Sequence, residues 1–178
     1  SNGGTVANDR GYIGFTNTAS NNSVLVTGSN SVWTNSGELY VGYNGSGNSL
    51  TIADGGTVTS IDNTVRIGGY FSGGYSGASA SSNRVLVTGP GSLWTNINEL
   101  NVGFSSSGNS LVISNGGTLA NNFGDIGVAT TSSNNSVLVT GTNSTWINSR
   151  PLNVGLQGSG NSVVISNGGR LASSYGFT

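Results

Sequence analysis

The stretch Asn22-Ser23-Val24-Leu25-Val26-Thr27-Gly28 decides the fold, because the chain repeats it. Full or shortened copies begin at six asparagines: Asn22, Asn48, Asn83, Asn109, Asn135 and Asn161. Successive copies start 26, 35, 26, 26 and 26 residues apart. A recurring period of this length is the signature of a repeat architecture.

Each interval contains three short apolar segments, which in the first copy are Val24–Thr27, Val32–Thr34 and Leu39–Val41. Apolar and polar residues alternate within the segments, and Gly, Asn, Asp and Ser fill the gaps, as in strands joined by turns. No segment has helical spacing. The sequence therefore predicts an all-β, single-stranded parallel β-helix (a β-solenoid) with about 26 residues and three short strands per coil, in six to seven coils.

Alternation within the strands predicts columns of like residues that face the core. The first strand contributes Val24, Leu50, Val85, Leu111, Val137 and Val163, with Val26, Ile52, Val87, Ile113, Val139 and Ile165 beside them. The third strand contributes Ile13, Val41, Ile67, Val102, Ile126 and Val154. The six repeat asparagines are predicted to hydrogen-bond to one another along the axis at a corner. A glycine column is also predicted to form a corner that needs positive φ: Gly14, Gly42, Gly68, Gly103, Gly127 and Gly155.

Tryptophan recurs in the second strand of alternate coils, at Trp33, Trp94 and Trp146, so the full repeat is a double coil of about 52 residues. The intervening coils align with Thr59, Ala120 and Ala172 at that position. If Val32 and Leu93 point inward, the indoles point outward and could contact a glycan or a partner chain. The alternative is that they pack over Thr59 and Ala120 and cover the wall.

Residues 69–82 form an insertion that makes the second coil longer than its counterparts. It carries Tyr70, Phe71 and Tyr75, and insertions of this kind map to loops that often bind partners. Neither end of the chain shows a polar capping sequence. We therefore expect one solenoid domain, residues 1–178, that is a segment of a longer solenoid or a filament subunit whose ends stack on neighbours.

The middle outward position of the first strand is almost entirely aliphatic, where a solvated sheet face would normally be polar. This stripe comprises Leu25, Leu86, Val112, Leu138 and Val164, interrupted by Thr51. An apolar stripe of this length predicts lateral self-association or cover by another segment. The alternative is that these are ordinary surface side chains of a strand-favouring wall.

The composition excludes several classes of partner. Only 6% of the residues are charged and the net charge is −1, so there is no basic surface for nucleic acid. No apolar run is long enough for a membrane span. Low charge also removes a usual defence against self-association. A chain without Cys or Lys and rich in Asn, Ser, Thr and Gly is typical of secreted bacterial repeat proteins, which predicts an extracellular or cell-surface location.

Catalytic and metal-binding patterns are sparse. The chain has no His and no Cys, which removes the common nucleophile–base pairs and imidazole metal sites. Glu38 and Glu99 occupy equivalent positions two coils apart, about 10 Å, a spacing that could suit an inverting glycosidase, although solvated turn residues are the simpler interpretation. Neither the calcium-binding nonapeptide nor an EF-hand loop occurs. We expect no cofactor, no metal and no enzyme activity.

The pattern NSVLVTG–SxWTN–ELYVG–GSGNSLTIADGGTV resembles the repeat shared by type V autotransporter passengers and PEP-CTERM-associated bacterial surface proteins. The resemblance covers nearly the whole chain, from Asn2–Thr5 to Asn167–Arg170. It implies an exported, right-handed parallel β-helix at or beyond the outer membrane, and it implies no particular activity.

These observations favour a non-catalytic surface or extracellular structural protein, a solenoid stalk or filament with an adhesive or self-associating role. A glycan- or biofilm-matrix-binding module, using Tyr70, Phe71, Tyr75 and the three tryptophans, is the alternative. An ice-binding solenoid is less favoured, because the column Thr27, Ala53, Thr88, Ser114, Thr140 and Ser166 is mixed. A polysaccharide-degrading enzyme is also less favoured, since the chain has no Lys and its carboxylates are spread thinly.

Overall fold

The computed structural model describes residues 3–61, 64–72, 75–76 and 80–174, and these residues form strands and turns without a helix. The strands are β1 (Thr5–Asn8), β2 (Gly11–Ile13), β3 (Ser23–Thr27), β4 (Val32–Asn35), β5 (Leu39–Val41), β6 (Ser49–Ala53), β7 (Thr57–Ser60), β8 (Val65–Ile67), β9 (Phe71–Ser72), β10 (Tyr75–Ser76), β11 (Arg84–Thr88), β12 (Leu93–Val102), β13 (Ser110–Ser114), β14 (Thr118–Ile126), β15 (Ser136–Thr140), β16 (Thr145–Asn148), β17 (Leu152–Val154), β18 (Ser162–Ser166) and β19 (Arg170–Ser173).

The strands stack into three walls, and the strands within each wall are parallel. The predicted β-solenoid is therefore confirmed, with about six turns. The first wall is a six-stranded sheet in the order β18-β15-β13-β11-β6-β3. The second wall runs β1-β4-β7-β12-β14-β16-β19. The third wall contains β2, β5, β8 and β17, together with the later parts of β12 and β14. Because β12 and β14 each run through both walls, the second and third walls form one sheet. Within the insertion, β9 and β10 pair antiparallel.

The core columns predicted for the first strand are confirmed by the register. Val24 pairs with Leu50, Leu50 with Val85, and the same alignment continues to Val163. Leu50, Val85 and Leu111 have no exposed surface. The third-strand column is buried as predicted, except that Val154 near the C-terminal end is only half-buried. Stacked aliphatic side chains therefore fill the interior along the axis.

The predicted alignment of the second strand is wrong by one residue. Trp33 pairs with Val58, and Trp94 pairs with both Val58 and Leu119, so the inward column of the intervening coils is not Thr59, Ala120 and Ala172. Trp94 and Trp146 are completely buried. The indoles point into the core, and Val32 and Leu93 are the half-exposed neighbours. Both positions are apolar, so alternation alone did not distinguish them.

The asparagine ladder is confirmed, and its geometry is the same from coil to coil. From Asn48 onward, the side-chain Oδ1 of each Asn accepts two hydrogen bonds from its counterpart one coil earlier, one from the backbone N and one from Nδ2. Asn109 Oδ1, for example, accepts from N and Nδ2 of Asn83 at 3.0 and 3.2 Å. The left-handed backbone that turns require falls on the preceding residue, for example Asn134 with φ of 56°. The ladder thus satisfies buried backbone donors that the turn leaves without strand partners.

The glycine corner closes against this ladder. Gly68 has a φ of 83°, and a Cβ atom there would overlap the side chain of Asn109. The other glycines of the column from Gly14 to Gly155 also have positive φ, as predicted. The corner therefore needs glycine both for its backbone conformation and for the space that the asparagine occupies.

A second asparagine column, which was not predicted from the sequence, lies at the end of the second strand. Its members are in register along the wall: Asn8, Asn35, Ser60, Asn96, Asn121, Asn148 and Ser173. The Nε1 of Trp146 donates to Oδ1 of Asn121 at 2.7 Å, and Trp33 donates equivalently to Asn8 at 2.6 Å. Ser60 occupies the position that would serve Trp94, and both Ser60 Oγ and Trp94 Nε1 are buried without a hydrogen-bond partner.

The first and last coils expose residues of the core columns. Val6 and Ile165 are about half exposed, and Val24 and Val163 are half-buried, because no further coil of the structure covers them. A hollow of about 520 Å³ lies at the N-terminal face and is lined by residues that include Val24, Val26 and Trp33.

Candidate functional site: the outer faces of the first and third walls

The aliphatic stripe faces outward on the first wall, as predicted. Leu25 and Val164 are 63% and 51% exposed at the two ends, whereas Leu86, Val112 and Leu138 are half-buried between their neighbours. Strand pairing places all of them, with Thr51, in one straight column. The stripe is therefore a ridge that follows the solenoid axis along the whole wall.

Hydroxyl groups flank the stripe on both sides. One flanking column is Ser23, Ser49, Arg84, Ser110, Ser136 and Ser162, and the other is Thr27, Ala53, Thr88, Ser114, Thr140 and Ser166. Ser114 Oγ donates to Thr88 Oγ1 at 3.0 Å, and Ser166 Oγ to Thr140 Oγ1 at 2.9 Å. Arg84 is the charged residue among the strands of this face, so the first wall is nearly neutral.

The structure does not bring the three predicted tryptophan contacts together with Tyr70. Trp33, Trp94 and Trp146 are buried in the core and cannot contact a glycan or a partner, which corrects the interpretation that they face outward. Tyr70 lies in the third-wall surface described next. The backbones of Phe71 and Tyr75 belong to β9 and β10, and their side chains lie outside what the structure describes.

An aromatic cluster covers the N-terminal part of the third wall: Tyr12, Phe15, Tyr40, Tyr43 and Tyr70. Tyr12 and Tyr40 pair in register and stack with ring centroids 5.5 Å apart. Tyr43 stacks on Tyr70 at 4.2 Å and on Phe15 at 5.0 Å. Phe15 is 53% exposed, whereas Tyr40 is buried, so the cluster has a solvent-facing rim and a closed base. The sequence feature that could have indicated this cluster is the outward position of the third strand, which Tyr12 and Tyr40 share in successive coils.

Arg66 continues the same outward column one coil beyond Tyr40. Its Nη1 donates to Tyr40 Oη at 2.7 Å and lies 3.8 Å from Glu38 Oε1, and its guanidinium sits 4.5 Å from the centre of the Phe104 ring. Tyr40 in turn donates to Glu38 at 2.9 Å. Burial raises the pKa of the Tyr40 hydroxyl although Arg66 opposes the shift, so this phenol stays protonated.

Two carboxylic acids meet further along the third wall, at Glu99 and Asp125. Burial, followed by the hydrogen bond and the charge of Glu99, raises the pKa of Asp125 to about 6. Amide groups hold both side chains: Asn101 Nδ2 donates to Glu99 Oε1, and Asn153 Nδ2 to Asp125 Oδ1, each at 2.7 Å. The sequence-based comparison of Glu99 with Glu38 did not include Asp125, whose strand lies one coil away.

The comparisons with known proteins identify no relative. No family model, no curated protein and no solved structure matches this chain. None of the described residues forms a helix long and apolar enough to cross a membrane. The resemblance to autotransporter passengers and PEP-CTERM-associated surface proteins therefore stays a prediction.

Proposed function

We propose that this chain is a non-catalytic structural module of an exported bacterial surface protein, a β-solenoid stalk that associates laterally with copies of itself. The observation that carries the proposal is the straight aliphatic stripe on the first wall. Two copies of this wall can meet face to face, because their apolar stripes would contact each other. The hydroxyl columns beside the stripe and the single arginine of its strands would cause little charge repulsion.

The dimensions of the first wall set the strength of this association. Six strands about 4.8 Å apart and five residues long cover about 29 by 16 Å. Two such walls would bury about 900 Å² in total, less than the roughly 1,200 Å² of a stable interface. One domain of this length should therefore associate weakly, and a longer stalk would multiply the contact.

Replacement of Leu25, Leu86 and Leu138 by Ser is expected to weaken association by about tenfold or more, because it removes the ridge and leaves the core columns intact. Sedimentation velocity at hundreds of micromolar measures this, and circular dichroism confirms that the β structure is retained. The matched control replaces the exposed Ile61, Ile97 and Ile147, which lie off the first wall, by Ser. Equal association of the wild type and the stripe variant would contradict the proposal.

A second candidate function is glycan binding at the aromatic cluster of the third wall. Aromatic faces beside a carboxylate and an arginine are the groups that pack against sugar rings and bind their hydroxyls. Phe15 and Tyr12 form the exposed rim, and Glu38 and Arg66 lie at its base. Glu38 is paired with both Arg66 and Arg10, so the base carries no net negative charge, and a neutral polysaccharide is the expected ligand.

The double substitution Tyr12→Ala and Phe15→Ala is expected to abolish retardation in gels that contain a neutral soluble polysaccharide, because it removes the exposed rings. Phe123→Ala, which removes a ring of similar exposure at another corner, serves as the control. Unchanged retardation of the double variant, or none for the wild type across a panel of neutral glucans, mannans and N-acetylhexosamine polymers, would exclude this candidate.

The acids of the third wall are held by neighbouring amide and hydroxyl groups, which supports a non-catalytic assignment. Glycosidases hold their two carboxyl groups roughly 5 to 9.5 Å apart so that a sugar or a water fits between them. Glu99 and Asp125 are instead close enough for Glu99 to raise the pKa of Asp125, and the amides of Asn101 and Asn153 hold the two side chains. Glu38 is occupied by Tyr40 and lies beside Arg66, so it is poorly placed to act with Glu99.

A further inference from the structure

We propose that Glu99 and Asp125 form a binding site for a hydrated calcium ion on the third wall, with the amide oxygen of Asn101 as a third ligand. The site is separate from both the aliphatic stripe and the aromatic cluster. It would tie together two consecutive coils, since Glu99 and Asn101 belong to β12 and Asp125 belongs to β14.

The first observation is a pair of acids without a cationic partner. Among the described residues, the ion pairs of the chain join Arg10 to Asp9 and Glu38, and Arg66 to Glu38. Arg66 is one strand away from Asn101; Tyr40 and Glu38 hold its Nη1, its guanidinium packs on the ring of Phe104, and its Nε is buried without a hydrogen-bond partner. Asp125 is only 8% exposed, so water screens its charge poorly.

The second, independent observation is an unused ligand atom. Asn101 is completely buried, and its Oδ1 has no hydrogen-bond partner. The Nδ2 of the same amide donates to Glu99, and the Cα of Asn101 is in register with that of Asp125 on one side and that of Arg66 on the other, so Asn101 is a neighbour of both acids. A buried carbonyl oxygen that lacks a donor is destabilising unless something binds it.

The chemistry of the donors points to calcium. Carboxylate and amide oxygens are hard ligands, and Ca²⁺ accepts irregular sets of six to eight oxygens, some of them from water. Glu99 is half-buried, which leaves a route for the ion and its waters. Only two carboxylates take part, and no cluster of three or more His, Cys, Asp or Glu side chains occurs in the part of the chain that the structure describes. The affinity should therefore fall in the weak range of extracellular modules, about 10⁻⁴ to 10⁻³ M.

No linear motif could have revealed this site. Its ligands come from adjacent coils and meet only because the strands pair in register. The sequence-based expectation of no metal rested on the absence of His and Cys and of two known calcium motifs, so it did not address oxygen ligands that other residues bring together across coils.

The test is a calorimetric titration of the folded protein with CaCl2 at pH 7.5, together with thermal unfolding in 10 mM CaCl2 and in NaCl of equal ionic strength. We expect one ion per chain and a melting temperature raised by about 3 °C or more by calcium. Asp125→Asn should abolish both signals. It should also leave the calcium-free protein folded, because it removes a charge that faces Glu99.

Asp54→Asn is the matched control, because Asp54 is an exposed residue in the turn after β6 and its variant should keep the full calcium response. Absence of binding by the wild type up to 20 mM CaCl2 would overturn the proposal. An equal response of the wild type and Asp125→Asn would also overturn it, since the ion would then bind elsewhere.

Discussion

Replacing Asn109 with Ala is expected to lower the free energy of unfolding by about 3 to 5 kcal/mol. Oδ1 of Asn109 accepts from both N and Nδ2 of Asn83, and its Nδ2 donates to Asn135 and to Ser106. Alanine would leave the buried backbone N–H of Asn83 without an acceptor. It would also open a gap against Gly68, whose missing Cβ makes room for the amide.

Asn22→Ala provides a matched control within the same ladder. Asn22 is exposed in the first coil and only donates to Asn48, so the substitution leaves no buried donor without an acceptor. Its expected cost is below about 1 kcal/mol. Urea unfolding followed by tryptophan fluorescence measures both variants. Equal losses at Asn22 and Asn109 would show that the ladder does not act as described.

Trp146→Phe is expected to lower the free energy of unfolding by about 2 to 4 kcal/mol. Phenylalanine fills less of the core and cannot donate to Asn121 Oδ1, which then stays buried without its 2.7 Å hydrogen bond. The indole is closely packed, since a Cβ on Gly124 would lie 3.1 Å from its six-membered ring. The same denaturation experiment measures this loss.

Trp94→Phe tests the cause, because Trp94 is equally buried and its Nε1 has no partner. Removing an unsatisfied donor avoids the hydrogen-bond penalty, so this variant should be more stable than Trp146→Phe by about 1 to 3 kcal/mol. If the two substitutions cost the same, the second asparagine column contributes no measurable hydrogen-bond energy to the tryptophans.

The first wall and the asparagine ladder could be predicted because their signals are local. Residues such as Val24, Leu25 and Val26 alternate cleanly, and the Asn that starts each copy recurs at a nearly constant spacing. Parallel in-register pairing then converts sequence position directly into a column. This is why the stripe lies where it was expected.

The second and third walls were harder to predict for physical reasons. In the second strand, Val32 and Trp33 are both apolar, and the buried Asn35 looks like a surface residue until a hydrogen-bonded column accounts for it. Between the second and third walls the corner varies in length, so spacing alone does not show which residues meet. The contacts of Asp125 with Glu99 and of Tyr43 with Tyr70 therefore appear only in three dimensions.

The absence of Cys from the chain permits the most direct test of the proposed self-association. Two single-cysteine variants each carry one nitroxide spin label. Val112→Cys places the label in the middle of the stripe, and Ile147→Cys places it on the second wall as the control. Sheets packed face to face lie about 10 Å apart, so pulsed electron paramagnetic resonance at high protein concentration should give an intermolecular distance below about 25 Å for the Val112 label only. No such distance from the Val112 label, or the same distance from both labels, would contradict association through the stripe.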